Sequence, residues 1–246
     1  MDYGAFEDGF SRTSLGAIHF KHHPGIGEKL IFLHGMGGTT LVWKRLMEQM
    51  PDSLGIYLID LLGHGGSDAP DIDYTVSMQF QALREFIALQ NNGESYVFGH
   101  SYGAWVAAYY ASQPCASKGI ILEDPPGMSE YLSEMASLPD FEQRRAEMLK
   151  EEIKENNNEM VIRSMIYDNF WEDELTTQML SAITRRTLIL WGSGDRLVPL
   201  KYGMVLNGKI KGSKLEIIPN AGHNPHYEQP ENVAKLILDF IGFSKA

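Results

Sequence analysis

The chain has 246 residues, 43% of them hydrophobic, with a formal net charge of −11 and one cysteine. That length and apolar content suit one α/β domain or a domain carrying an insert, and the acidic balance argues against nucleic acid or an anionic membrane as partner, since either calls for a basic patch. No apolar run reaches the roughly 18 residues of a membrane span, the acidic start "MDYGAFEDGFSRTSLG" lacks a signal peptide's apolar stretch, and the lone Cys115 rules out an internal disulfide, so a cytoplasmic protein is expected.

Along the chain, short apolar runs alternate with helical patterns. "AIHFKHH" (Ala17–His23) and "KLIFLHG" (29–35) read as strands, with the first hairpin antiparallel. "GIYLIDLLG" (55–63) is a third strand. "YTVSMQFQALREFIALQNN" (74–92) is amphipathic and stops at Asn92-Gly93, a suitable C-cap. "SYVFGHS" (95–101) is a fourth strand, followed at once by the helical "YGAWVAAYYASQ" (102–113), which Pro114 ends, and by the fifth strand "KGIILED" (118–124). "RTLILWGSGD" (186–195) and "KLEIIPNAGH" (214–223) are the last strands, and Pro230 opens a closing helix, "PENVAKLILDFIGF". The continuously apolar runs "LIFL", "IYLI", "IIL" and "LILW" suit strands buried on both faces of a parallel sheet. The alternation predicts a doubly wound, mostly parallel sheet over residues 1–126 and 185–246.

Between those two stretches the strand signal vanishes. Residues 127–184 read as three or four short helices punctuated by Pro139 and the Asn156–158 run. The segment holds 13 acids against 5 bases, a net of −8, whereas the rest of the chain nets −3. It is expected to be an inserted helical cap whose charge is a solvated face, or one that repels a polyanionic substrate.

The joint between the fourth strand and its helix carries the sharpest signal. In "FGHSYGAW", Gly99 and Gly103 flank Ser101. A strand that reverses into a helix within a few residues forces strained dihedrals on the turn residue, and small neighbours let the flanking backbones approach. The apical side chain then projects at the helix N-terminus, where free backbone N–H groups meet developing negative charge. This is the G-x-S-x-G nucleophile elbow. Serine needs a positioned base, and the template asks for an acid and then a histidine after later strands. Asp195 follows "LILWGSG" and His223 follows "LEIIPNAG".

With those pieces in place the chain resembles the α/β-hydrolase family in its capped form, over essentially its whole length. The blocks "LIFLHGMGG", "LIDLLGHGGSD", "FGHSYGAW", "LWGSGDRLVP" and "IPNAGHNPHYEQPE" match the family's; the cap does not. The resemblance implies an α/β-hydrolase fold, a Ser101–Asp195–His223 triad and an oxyanion hole. That hole takes one backbone N–H from Tyr102 and a second from Met36, in the His-Gly-x-Gly-like loop. Asp124, after "GIILE", is an alternative acid, because some members take theirs from that strand; Pro125 behind it gives a purely structural reason for the motif. Asp60 and His64 match a loop that is usually architectural, and His100 is expected to point away from the reacting centre.

The family generally needs no cofactor. No metal site is expected either: His22-His23 are adjacent and there is no H-E-x-x-H or paired Cys. Serine at the elbow argues against the dehalogenase and epoxide-hydrolase branches, which use aspartate there. Met128, Met135, Met148, Met160, Met165 and Met179, with Tyr131, Phe170 and Trp171, either line an adaptable apolar pocket or pack the cap onto the core. The expected reaction is hydrolysis of a small to medium apolar carboxylic ester through an acyl-enzyme. Carbon–carbon bond hydrolysis, amide or aminopeptidase chemistry on the same triad, and a small-molecule receptor on this fold stay open.

Overall fold

The computed structural model describes residues 1–90, 94–155, 157–168 and 173–243. The expected C-cap at Asn92-Gly93 lies outside them. Eight strands form one sheet: β1 (Glu7–Arg12), β2 (Ala17–His23), β3 (Lys29–Leu33), β4 (Gly55–Ile59), β5 (Tyr96–His100), β6 (Gly119–Glu123), β7 (Arg186–Gly192) and β8 (Lys214–Ile218). Their spatial order is β1-β2-β4-β3-β5-β6-β7-β8, and every pairing from β4 through β8 is parallel.

The antiparallel part differs from the sequence expectation. The hairpin joins β1 to β2, and β2 then pairs with β4 rather than with β3. β1 is an edge strand whose Glu7, Asp8, Phe10 and Arg12 are not buried, so no apolar run marks it in the sequence. β3 lies beyond β4 because parallel neighbours need a crossover, which the chain makes through α1 (Lys44–Met47) between them.

The alternation of side chains across the sheet sorts the core onto two faces. Ile31, Leu33, Val97, Ile120, Leu122 and Trp191 pack against α2 (Val76–Leu89), α3 (Tyr102–Ser112) and α8 (Lys201–Lys209). Leu30, Phe32, Phe98, Ile121 and Leu190 face the other way, onto α1 and α10 (Pro230–Ile241). Central strands β4, β5 and β6 are buried at every position, which is why they read as unbroken apolar runs. Each fully buried side chain of this kind contributes roughly 1.5–3 kcal/mol. Pro230 is the first residue of α10, whose C-cap Gly242 turns left-handed at φ 73°.

Between β6 and β7 the chain forms α4 (Ser129–Ala136), α5 (Phe141–Lys154), α6 (Glu159–Arg163), a π-helical turn (Ser164–Asp168) and α7 (Thr177–Ala182). Polar bonds fasten this stretch to the sheet side of the molecule. The Tyr74 N–H donates to Ser164 Oγ at 3.0 Å, the Ser77 N–H to Asp173 Oδ2 at 2.7 Å, and Trp105 Nε1–H to the Asp173 carbonyl at 2.8 Å. Part of its acidity is matched across the boundary, where Glu134 and Glu130 of α4 meet Lys201 and Lys209 of α8. A last short helix, α9 (Pro225–Glu228), precedes α10. No helix among the described residues is long and apolar enough to cross a membrane.

Candidate active site

Ser101 stands between β5 and α3 with φ 50° and ψ −116°. A non-glycine residue there costs on the order of 1–3 kcal/mol, which the surroundings must hold in place. They do so from both sides: the Ser101 N–H donates to the Glu123 carbonyl at 2.8 Å, and the Ser101 carbonyl accepts from the Trp105 N–H at 3.0 Å. The flanking glycines are required by contact. A Cβ on Gly99 would sit 2.2 Å from the Gly103 carbonyl oxygen, and one on Gly103 would sit 2.3 Å from that of Leu33. Strand, helix and the end of β3 meet here with no room for a methyl group.

Asp195 lies just after β7 and His223 after β8, so both reach the same sheet edge as Ser101. His223 Nδ1 is 2.7 Å from Asp195 Oδ2, and its Nε2 is 2.9 Å from Ser101 Oγ. A carboxylate can only accept, so Nδ1–H donates to Asp195 and the Nε2 lone pair accepts from the serine hydroxyl. Asp195 Oδ1 accepts from the Leu197 and Val198 N–H groups at 2.8 and 3.0 Å, and its side chain is fully enclosed. The three residues expected from sequence to act together are thus one hydrogen-bonded chain.

Asp124 stands behind this chain. It is buried, at φ 49°, and its Oδ1 accepts from the Gly192 N–H at 3.2 Å. The imidazole bonds to Asp195 and not to this alternative acid. Burial pushes the Asp124 carboxyl well above the usual range, helped by the nearby Glu123 and Asp195.

A second chain, invisible to motif reading, supports the histidine from beneath. His226 Nδ1 and N–H bond to the two oxygens of buried Glu123 at 2.5 and 3.0 Å. His100 donates from Nε2 to the His223 carbonyl at 2.7 Å, and its ring lies 4.6 Å from that of His226. Burial, with the two neighbouring histidines, pushes the His100 ring well below the ordinary range, so it stays neutral. Its Nε2 engages the backbone of His223 and not the serine hydroxyl. The available signal was an acid closing an otherwise apolar strand, "GIILE", and a second histidine in "HNPH". Ligand-type atoms within 4.8 Å of one another occur in His100–Glu123–His226 and in Asp124–Asp195–His223.

Asp60 is architectural, accepting from the Thr40 N–H at 2.6 Å, the Gly66 N–H at 2.9 Å and His19 Nδ1–H at 2.7 Å. His64 is buried, and burial together with His34 pushes it down to about 3. Cys115 is half-buried filler beside the core.

The serine opens onto an apolar cavity walled by Met36, Tyr102 and Trp105 on one side and by Tyr131, Met135, Met148 and Met165 on the other. Met128 instead packs in the core, Met179 packs half-buried against it and Met160 is exposed, so of the six methionines expected from sequence three line the pocket, two pack and one does neither. Phe170 and Trp171 lie outside the described residues. Arg144 and Arg145, unforeseen in the sequence, also reach the cavity wall. The N–H groups of Met36 and Tyr102 are engaged by no hydrogen bond among the described residues.

Known proteins place this geometry in context. Monoacylglycerol lipase abhd6-A of Xenopus laevis is 24% identical over 278 residues, spanning 97% of this chain and 80% of its own. A thermophilic esterase from Thermogutta terrifontis superposes with a TM-score of 0.75 at 24% identity, covering 96% of this chain and 98% of the esterase. A serine hydrolase involved in carbazole degradation superposes with a TM-score of 0.78 at 20% identity, covering 98% and 100%. The pattern of the alpha/beta hydrolase family matches residues 30–236. This chain belongs to the alpha/beta hydrolase family and is a hydrolase.

Proposed function

We propose that the protein hydrolyses a small to medium apolar carboxylic ester through an acyl-enzyme on Ser101. His223 Nε2 takes the hydroxyl proton as Oγ attacks the carbonyl carbon, and Asp195 holds the ring and offsets its positive charge. The N–H groups of Tyr102 and Met36 receive the charge that develops on the carbonyl oxygen. The alcohol leaves with the proton from His223; water then attacks the acyl-enzyme by the same route and frees the acid. Residues 127–184 act as a cap that walls the acyl pocket, while 1–126 and 185–246 carry the chemistry.

The observation that carries this reading is the unbroken chain from Ser101 Oγ through His223 to Asp195, at 2.9 and 2.7 Å, opening into an apolar cavity. The named lipase and esterase relatives support an ester as the scissile bond. The test is a chain-length panel of nitrophenyl esters beside an amide and a carbon–carbon substrate. Steady ester turnover, lost in Ser101→Ala, and phosphonate labelling of the peptide that contains Ser101 are expected. Turnover that survives Ser101→Ala removes the serine from the mechanism, a preference for either other substrate replaces the ester, and tight binding with a single turnover favours a receptor.

A further inference from the structure

Two carboxyl groups share the space behind His223, and only one is well supplied with donors. Asp195 accepts three hydrogen bonds, from the Leu197 and Val198 amides and from the imidazole. Asp124 accepts one, from the Gly192 N–H on Oδ1; its Oδ2 is fully buried with no donor among the described residues. Oxygens of the two groups and a ring nitrogen of His223 lie within 4.8 Å of one another. The backbone of Asp124 is turned left-handed, φ 49°, at the end of β6, where that side chain meets the site.

A dry space does not accommodate two negative charges at such range, so one of the carboxyls keeps a proton. The charge settles where the donors are, on Asp195, and the proton belongs on the oxygen that has none. We infer that Asp124 is a neutral carboxylic acid whose Oδ2–H donates to the Asp195 carboxylate, making it a positioning residue for the Ser101–His223–Asp195 chain. This rests on the hydrolytic reading above. Nothing nearby reverses the assignment. Glu123 of β6 adds a further negative charge, already held by His226; Asp195 after β7 is negative; His223 after β8 gives its Nδ1–H to Asp195. Burial and those same anions push Asp124 upward, in agreement with the donor count. The consequence is that a single negative charge stands behind the imidazole, held by four donors instead of three.

Asparagine reproduces this arrangement, since its Oδ1 accepts from Gly192 and its Nδ2–H donates to Asp195. Asp124→Ala is therefore expected to lower kcat/KM on a nitrophenyl ester about tenfold or more, and Asp124→Asn to rescue it to within about threefold of the parent. An infrared band of a protonated carboxyl at neutral pH is expected in the parent and in Ser101→Ala, and is expected to vanish in Asp124→Asn. The infrared reading needs no substrate, so it stands or falls apart from the hydrolytic proposal, which Ser101→Ala kinetics decide. A loss in Asp124→Asn as deep as in Asp195→Asn would make Asp124 a charged acid and overturn the inference. So would a parent protein without the band, or Asp124→Ala with unchanged kcat/KM.

Discussion

Asp195 is gripped by two amides before it meets the imidazole, so its orientation is set by its own loop and not by the histidine. Replacing it by asparagine preserves shape but offers an N–H where His223 needs an acceptor, which moves the ring proton to Nε2 and blinds it to the serine. Asp195→Asn is expected to lower kcat by roughly 10⁴, as in the established triad case, with an unchanged circular-dichroism spectrum; an effect below about tenfold would take Asp195 out of the chain. These residues were legible because their type and their place after a strand are both dictated by the chemistry. The Glu123–His226 pair was not, because a buried acid on an apolar strand has no motif, and only the packed structure reveals its partner 103 positions away. The choice between Asp195 and Asp124 had the same origin: both follow strands, and only the hydrogen bonds of the folded site separate them.

At the scale of elements, the elbow is a joint with no room for a methyl group. A methyl group on Gly103 would lie 2.3 Å from the Leu33 carbonyl oxygen and 2.5 Å from that of His34, both backbone atoms of the neighbouring strand and its loop. Neither can swing aside as a side chain would. Gly103→Ala is expected to destabilise the fold by about 2–3 kcal/mol, read as a fall in the urea midpoint, whereas Ser112→Ala at the far end of α3 should change it by less than about 0.5 kcal/mol. Equal midpoints would mean the joint relaxes. The parallel strands could be read from sequence because burial on both faces leaves an apolar run. Edge strand β1 could not, and with it went the partner of β2: pairing across the antiparallel end is decided by which edge is left open, a property of the assembled sheet.

Across the whole molecule, buried neutral histidines tie stability to pH. His34, His64 and His100 are all held below the ordinary histidine range by burial, His64 at about 3. The unfolded chain binds these protons near pH 6.5 and the folded one does not, so the unfolded state gains protons first as pH falls. The contribution of these three rings is complete above about pH 6.5 and falls on acidification; for His64 it is lost down to about pH 3, at about 1.4 kcal/mol per pH unit. The urea midpoint is expected to drop between pH 7.5 and 5.5, and His64→Gln to flatten that slope. A midpoint indifferent to pH over this range would contradict the burial of these rings.

Ser101, Asp195 and His223 all come from outside residues 127–184, while four of the cavity-wall side chains, Tyr131, Met135, Met148 and Met165, come from inside that stretch. On the hydrolytic reading proposed above, that share of the wall can be re-cut to admit a different guest while the three reacting side chains stay where they are, with Met36, Tyr102 and Trp105 keeping the floor beneath them unchanged.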